Sequence, residues 1–283
     1  MREIVSGYGL IEGPVWDPDS GLYFSDVANG GVYRLGFDDF VSEVVPRRRG
    51  VGGMALHADG GLVVSGRDIS WAPLDGREGK VLFTPGQASA VAIGFNDLTT
   101  DAEGRVYVGS LAFRVFGGDT PKAGNLHRIN LDGSAETLSD GVMLTNGLGF
   151  APDGRRLYHS DSRAPGVRVY DIAADGTVGR WRMFASLGDR GTPDGLKVAA
   201  DGSVWVADAR GGRVAVFEPD GGHRMDVTVP LPMVTSLCFG GADLRDLYVV
   251  TGSDGGPREN CGTIFRLRTE VAGQPLAPAR VAV

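Results

Sequence analysis

Short apolar runs alternate with tight polar turns along the whole chain, and one unit of this pattern repeats. In GTPDGLKVAADGSVWVAD (191–208) a polar tip, Thr192-Pro193-Asp194, leads into the apolar run Gly195–Ala199. An Asp201-Gly202 turn follows, and then a second apolar run, Val204–Ala207. An Asp-Gly pair between two apolar runs is the strongest short-range hairpin signal a sequence carries. The same hairpin is legible in WDPDSGLYFSD (16–26), LHADGGLVVSG (56–66), TDAEGRVYVGS (100–110), FAPDGRRLYHSD (150–161) and FGGADLRDLYVVTG (239–252). The turn acids Asp17, Asp59, Asp101, Asp153, Asp201 and Asp243 are separated by 42, 42, 52, 48 and 42 residues. Such a period holds about four short strands, the content of one propeller blade. Third strands follow most hairpins: GGVYRL (30–35), GNLHRINLDG (124–133), GVRVYDIAADG (166–176), GRVAVFEPDG (212–221) and GTIFRL (262–267).

The pattern predicts an all-β fold, a six-bladed β-propeller with four-stranded antiparallel blades, in one domain spanning 1–283. A two-sheet sandwich also has short strands and Gly-rich turns, but nothing in it calls for one hairpin repeated at a near-constant period. The 45 glycines suit the many tight turns. The six units leave almost nothing over, and Arg2–Ser6 is expected to add an outer strand to the last blade, closing the ring and removing exposed sheet edges.

In a propeller the first strand of each hairpin lines the central channel. Counting back eight residues from the turn glycine, or its counterpart, gives one position per unit. These are Glu12, Gly52, Asn96, Asn146, Asp194 and, in the sixth, Thr235 or Ser236. Two carboxylates and two carboxamides at equivalent places would face one axis. Without a cation the carboxylates would repel each other and one would gain a proton. An all-oxygen set lacking His and Cys favours a hard divalent ion. The ligands expected are Glu12, Asn146 and Asp194, with water or substrate in the remaining places. A hydrated channel without metal is the plainer alternative.

Composition narrows the partners. The chain is 42% hydrophobic and 22% charged with a formal net charge of −7, so nucleic acid, which needs a basic face, is not an expected partner. The basic run Pro46-Arg47-Arg48-Arg49 is read as a solvated loop. No signal-peptide core and no membrane-length apolar run is present, so a cytoplasmic protein without membrane association, a monomer or weak homo-oligomer, is expected. Cys238 lies in an apolar strand and reads as a buried free thiol; with Cys261 it cannot form a structural zinc site. His57, His127, His159 and His223 share no spacing that suggests a triad or zinc site, and no Gly-x-Ser-x-Gly elbow or phosphate loop occurs.

The segments IEGPVWDP (11–18), FNDLTTDAEGRVYVGS (95–110), TNGLGFAPDGRRLYHSD (145–161) and PDGLKVAADGSVWVAD (193–208) resemble the gluconolactonase, senescence-marker-protein and luciferin-regenerating-enzyme family. The resemblance runs from about Glu12 to Arg266. It implies a six-bladed propeller with one catalytic divalent metal in the channel, held at the positions of Glu12, Asn146 and Asp194. It also implies that Asn96 contacts substrate or a bound water beside the metal. Calcium is the ion expected first, with magnesium, manganese or zinc as alternatives. Sugar-lactone hydrolases of the family usually carry Arg in an Arg-Phe-Asn-Asp run, whereas here the run is Gly94-Phe95-Asn96-Asp97, so the forked donor suited to oxygen-rich substrates is missing.

The expected function is metal-dependent hydrolysis of a lactone, a sugar lactone or related cyclic ester. The metal would polarise the carbonyl and acidify water, Asp194 would be ligand and general base, and Glu12 mainly structural. The alternatives are phosphotriester hydrolysis, hydration or isomerisation on the same scaffold, or a non-enzymatic binding propeller with a structural metal. Substrate selection is assigned to two stretches read as loops over the mouth, Gly66–Gly94, with Trp71 and Phe83, and Leu111–Gly124, with Phe113, Arg114, Phe116 and Lys122. Arg114 is the candidate to replace the missing guanidinium, with Asp161 and Arg163 as weaker ones.

Overall fold

Each predicted hairpin becomes the inner half of a four-stranded antiparallel sheet, and six such sheets form a six-bladed β-propeller. The computed structural model describes residues 1–164, 166–189 and 191–283. Blades one to five are meanders built from consecutive strands, starting at Ile11–Asp17, Met54–Leu56, Gly94–Thr100, Thr145–Phe150 and Pro193–Val198. The sixth begins at Val234–Gly240 and takes its outer strand from the N-terminus, where Arg2–Tyr8 pairs with Gly262–Arg268. The two ends of the ring are thus joined by main-chain hydrogen bonds, and the edge an open array would expose is paired.

The alternation along each strand is resolved by packing between blades. Inner strands such as Thr145–Phe150 and Val234–Gly240 are buried along their whole length, whereas the outer Ala135–Val142 is largely exposed. Six apolar clusters fill the six gaps between neighbouring blades. Tyr107, Leu126, Leu148 and Tyr170, for example, join blades three and four. An inner strand flanked by a blade on each side is therefore buried on both faces, polar positions such as Asp97 and Asn146 included. Close approach at the hub demands small residues. A Cβ on Gly147 would strike the backbone of Gly195 and Leu196 in the next blade.

Three expectations are corrected. Gly66–Gly94 is not a mouth loop in its middle part: Ile69–Ala72 and Lys80–Phe83 are the outer strands of blade two. Trp71 is buried with its indole N–H donating to the Gly60 carbonyl at 2.8 Å, and Phe83 lies in the core between blades two and three. The arginine run is not simply solvated either. Arg48 is partly buried, its guanidinium donating to the Ser65 and Asp68 carbonyls and the Asp68 carboxylate. Finally, residues 269–283 belong to no blade and instead strap the channel end opposite the site. Ala279 pairs with Leu56 and Ala58, Arg280 with Gly104, and Thr100 donates to Ala277. Cys238 is free and buried as expected, Cys261 is also free and buried, and burial pushes the Cys238 thiol up to about 12. Among the described residues no helix is long and apolar enough to cross a membrane.

Two buried histidines make an acid-sensitive element. His127 sits between the Ser110 and Thr137 hydroxyls, and His159 contacts the Thr145 hydroxyl at 2.7 Å. Burial lowers His127 to about 4, and burial with the nearby Arg168 charge lowers His159 to about 3. Both are neutral in the fold, so their contribution is intact above the unfolded value of ~6.5 and is lost as pH falls below it. At pH 5 the loss is about 2 kcal/mol for each. In NMR titrations neither ring should protonate between pH 7 and pH 5; a midpoint near 6.5 for either would contradict the assignment.

Candidate functional site

The inner strands do not pair smoothly at their mouth ends. Register shifts fall between Glu12 and Val15, Phe95 and Leu98, Thr145 and Leu148, Pro193 and Leu196, and Val234 and Ser236. A bulge places an extra residue on one strand and re-aims its side chain. Glu12, Asn96, Asn146, Asp194 and Thr235 all lie at these irregularities, so one backbone device repeats in five blades. Thr235 turns its hydroxyl to the carbonyls of Ile11 and Val250, leaving it occupied between strands. Blade two has no side chain here, because a Cβ on Gly52 would coincide with the Asn96 Oδ1.

Three of the predicted residues are joined directly or through the backbone of their neighbours. Asn96 Nδ2 donates to the Asn146 Oδ1 at 2.6 Å and to the Thr145 carbonyl at 2.7 Å. Asn146 Nδ2 donates to the Ser162 hydroxyl at 2.7 Å, and that hydroxyl donates to the Pro193 carbonyl at 2.5 Å, one residue before Asp194. Glu12 accepts the Gly13 N–H at 3.2 Å. Asp194 Oδ1 is fully buried and has no hydrogen-bond partner.

The carboxyl groups at the hub are only partly compensated. Burial first, then the charges of Asp194 and Asp97, push the Glu12 carboxyl well above the usual carboxylate range, with the Gly13 N–H and Lys197 offsetting part. Burial and then Asp97 do the same to Asp194. Asp97, buried and accepting the Leu98 N–H at 2.7 Å, is raised by burial against the pull of Lys197. Among the described residues no three His, Cys, Asp or Glu side chains gather closely enough to hold an ion by themselves. The set here mixes two carboxylates with carboxamide oxygen. A buried acceptor without a donor, next to a like charge, suits a hard cation coordinated by oxygen. Glu12, Asn146 and Asp194 therefore fit a divalent ion.

Asp97 and Lys197 escaped the sequence reading. The signal was one step further along: the residues after the ring positions are Gly13, Gly53, Asp97, Gly147, Gly195 and Ser236, so Asp97 is the acid in a ring of small residues. Lys197, Thr99 and Cys238 line a cavity of about 90 Å³ on the inner side of the hub, bounded below by residues 274–277 of the C-terminal strap.

The acids ending the second strands of blades one, four and five have a structural role. Asp26 accepts the N–H groups of Gly9 and Leu10, Asp161 those of Met143 and Leu144, and Asp208 that of Thr192. Each pins the chain just before Glu12, Asn146 or Asp194. Asp161 is also paired with buried Arg168 at 2.7 Å. Arg114 makes its side-chain hydrogen bonds within its own loop. It forms a two-point pair with Asp119 in an exposed loop, and its side chain is 71% exposed.

Known proteins share this arrangement of strands. Residues 10–253 match the family model described as SMP-30/Gluconolactonase/LRE-like region. The chain is 32% identical to the pentonolactonase XacC of Haloferax volcanii over 97% of its length and 96% of that protein's. It is 30% identical to a 6-deoxy-6-sulfogluconolactonase of Pseudomonas putida, over 93% and 92%. Its fold superposes on the crystal structure of a calcium-binding protein, regucalcin, from Agrobacterium tumefaciens with a TM-score of 0.84, at 20% identity, covering 99% of this chain and 97% of that one.

Proposed function

Because this chain belongs to the SMP-30/gluconolactonase/LRE-like family, which includes lactonases, we propose that it hydrolyses lactones with a divalent metal ion held at the propeller hub. The observation that carries the metal assignment is the buried, partnerless Asp194 Oδ1 beside the charges of Glu12 and Asp97. Glu12, Asn146 and Asp194 hold the ion, and calcium is the first candidate on two grounds. The donors are hard oxygens, and the structurally similar regucalcin is described as calcium-binding.

The ion supplies Lewis acidity toward the lactone carbonyl and lowers the pKa of water. Asp194 takes the proton from the attacking water, whose oxygen bonds to the carbonyl carbon. When the ring C–O bond breaks, that proton passes to the departing ring oxygen and the open-chain hydroxy acid results. Asn96 fixes the Asn146 oxygen through its 2.6 Å hydrogen bond and presents its own carboxamide to the substrate. Glu12 holds the ion without moving a proton.

Proton release from a panel of sugar and aliphatic lactones, with and without chelator, tests the reading. Hydrolysis should vanish on chelation and return with calcium, magnesium, manganese or zinc. Turnover that survives complete metal removal, or tight metal binding with no turnover of any lactone, would overturn it.

A further inference from the structure

The chain carries a net charge of −7, but its charge is unevenly placed. The inner strands run from the mouth to the Asp-Gly turns, so the turn acids Asp17, Asp59, Asp101, Asp153, Asp201 and Asp243 lie at the far end. The mouth loops of blades two to four are 46–53, 65–68, 84–93, 112–123, 143–144 and 162–164. Their sole carboxylates are Asp68 and Asp119. Each is already bonded to an arginine, Asp68 to Arg48 and Asp119 to Arg114, at 2.8 and 2.7 Å. Arg47, Arg49, Arg67, Lys122 and Arg163 on the same loops have no carboxylate within ion-pair distance among the described residues. These loops therefore carry an excess of positive charge.

Two of these cations are tied to the site by their backbone. Gly66 accepts the Phe95 N–H at 2.7 Å, which docks Arg67 beside the residue preceding Asn96. A Cβ on Gly94 would lie 3.8 Å from the Arg67 Cα and 2.9 Å from the Gly66 carbonyl oxygen, so Gly94 leaves the Arg67 segment room to lie against this strand. Arg163 follows Ser162, the residue bonded to Asn146, and its guanidinium lies 5.7 Å over the Phe113 ring. Both arginines are exposed. In the hub below them, Glu12 and Asp194 come from blades one and five, and Asp97, whose charge Lys197 partly offsets, comes from blade three; blades three and four also supply the neutral carboxamides Asn96 and Asn146, and blade two supplies no side chain.

We propose that the lactone taken by this site is anionic, its carboxylate, sulfonate or phosphate substituent bound by Arg67 and Arg163 over blades two to four. The inference rests on the lactonase reading for its reacting centre. The cationic sector also steers the substrate, an effect that salt screens over about 10 Å at 0.1 M. Guanidinium groups suit all three anions because they donate in a fork.

The test compares D-glucono-1,5-lactone with 6-phospho-D-glucono-1,5-lactone and D-glucaro-1,4-lactone, using the full chain with calcium. At low ionic strength kcat/KM should be about 10-fold or more higher for at least one charged lactone, and the preference should shrink with added NaCl. In the Arg67→Gln/Arg163→Gln double variant the charged-to-neutral ratio should fall about 10-fold, through KM. Equal or better use of the neutral lactone at low salt, or an unchanged ratio in the variant, overturns the proposal while leaving lactone hydrolysis standing. If no lactone is turned over, the hydrolase reading fails by itself. Calorimetry with D-glucarate and D-glucitol then decides the anion site: tighter binding of the dianion that the double variant loses supports it, and equal binding overturns it.

Discussion

Asp194→Asn should reduce kcat by about 10³-fold or more and, in chelator at pH 8, raise the melting temperature. The loss follows from removing the only proposed proton acceptor while keeping an oxygen that can still ligate; general-base contributions alone are about 10²–10⁴-fold. The gain in stability comes from the same atom. Asp194 Oδ1 is buried without a donor and is repelled by Asp97. A neutral carboxamide of the same shape removes that repulsion. Full activity in the variant would take Asp194 out of the mechanism. A lower melting temperature in chelator would mean that the carboxylate is satisfied in the metal-free protein.

The second large effect is the pH dependence of stabilisation by the ion. Glu12 and Asp194 are raised above their ordinary values by burial first, then by the charges of Asp194 and Asp97 on Glu12 and of Asp97 on Asp194. A carboxyl raised in the fold contributes fully below its unfolded value of about 4, and that contribution is lost as pH rises toward the folded value. The metal-free protein is therefore penalised at neutral and alkaline pH, and a divalent ion removes the penalty where it is largest. The melting-temperature difference between calcium and chelator should grow from pH 5 to pH 8. Taking the difference separates this effect from the histidines, which act in the opposite direction but equally in both samples. A difference that shrinks as pH rises would show that these carboxylates are not the ones the ion relieves.

How far the site could be read beforehand depends on the residue. Glu12, Asn96, Asn146 and Asp194 were visible because a fixed offset from a recognisable turn survives in blades of different length. Asp97 was not, since the offset picks one residue per blade whereas a bulge presents two. Asp26, Asp161 and Asp208 stand in plain view at the ends of three hairpins, but their role lies in backbone N–H groups of the chain segment that precedes each hairpin. Arg114 stands out in the sequence by its charge and loop position, but its pairing with Asp119 within the same exposed loop does not follow from spacing. The outer strands of blade two, Ile69–Ala72 and Lys80–Phe83, are not legible in the sequence because four residues of mixed polarity carry too little periodicity to identify a strand.

What the sequence alone determined is whatever local chemistry enforces: hairpins closed by Asp-Gly turns, their repeat and hence the propeller, and the kinds of side chain offered at one place in each blade. Only the tertiary structure decided that Glu12, Asp97 and Asp194 share one desolvated hub, that Asn96 fills the space left by Gly52, and that the C-terminal segment straps the opposite end. The reason is physical. Turn and strand preferences act between residues a few positions apart, whereas desolvation and charge repulsion depend on separations that exist only once the ring has closed.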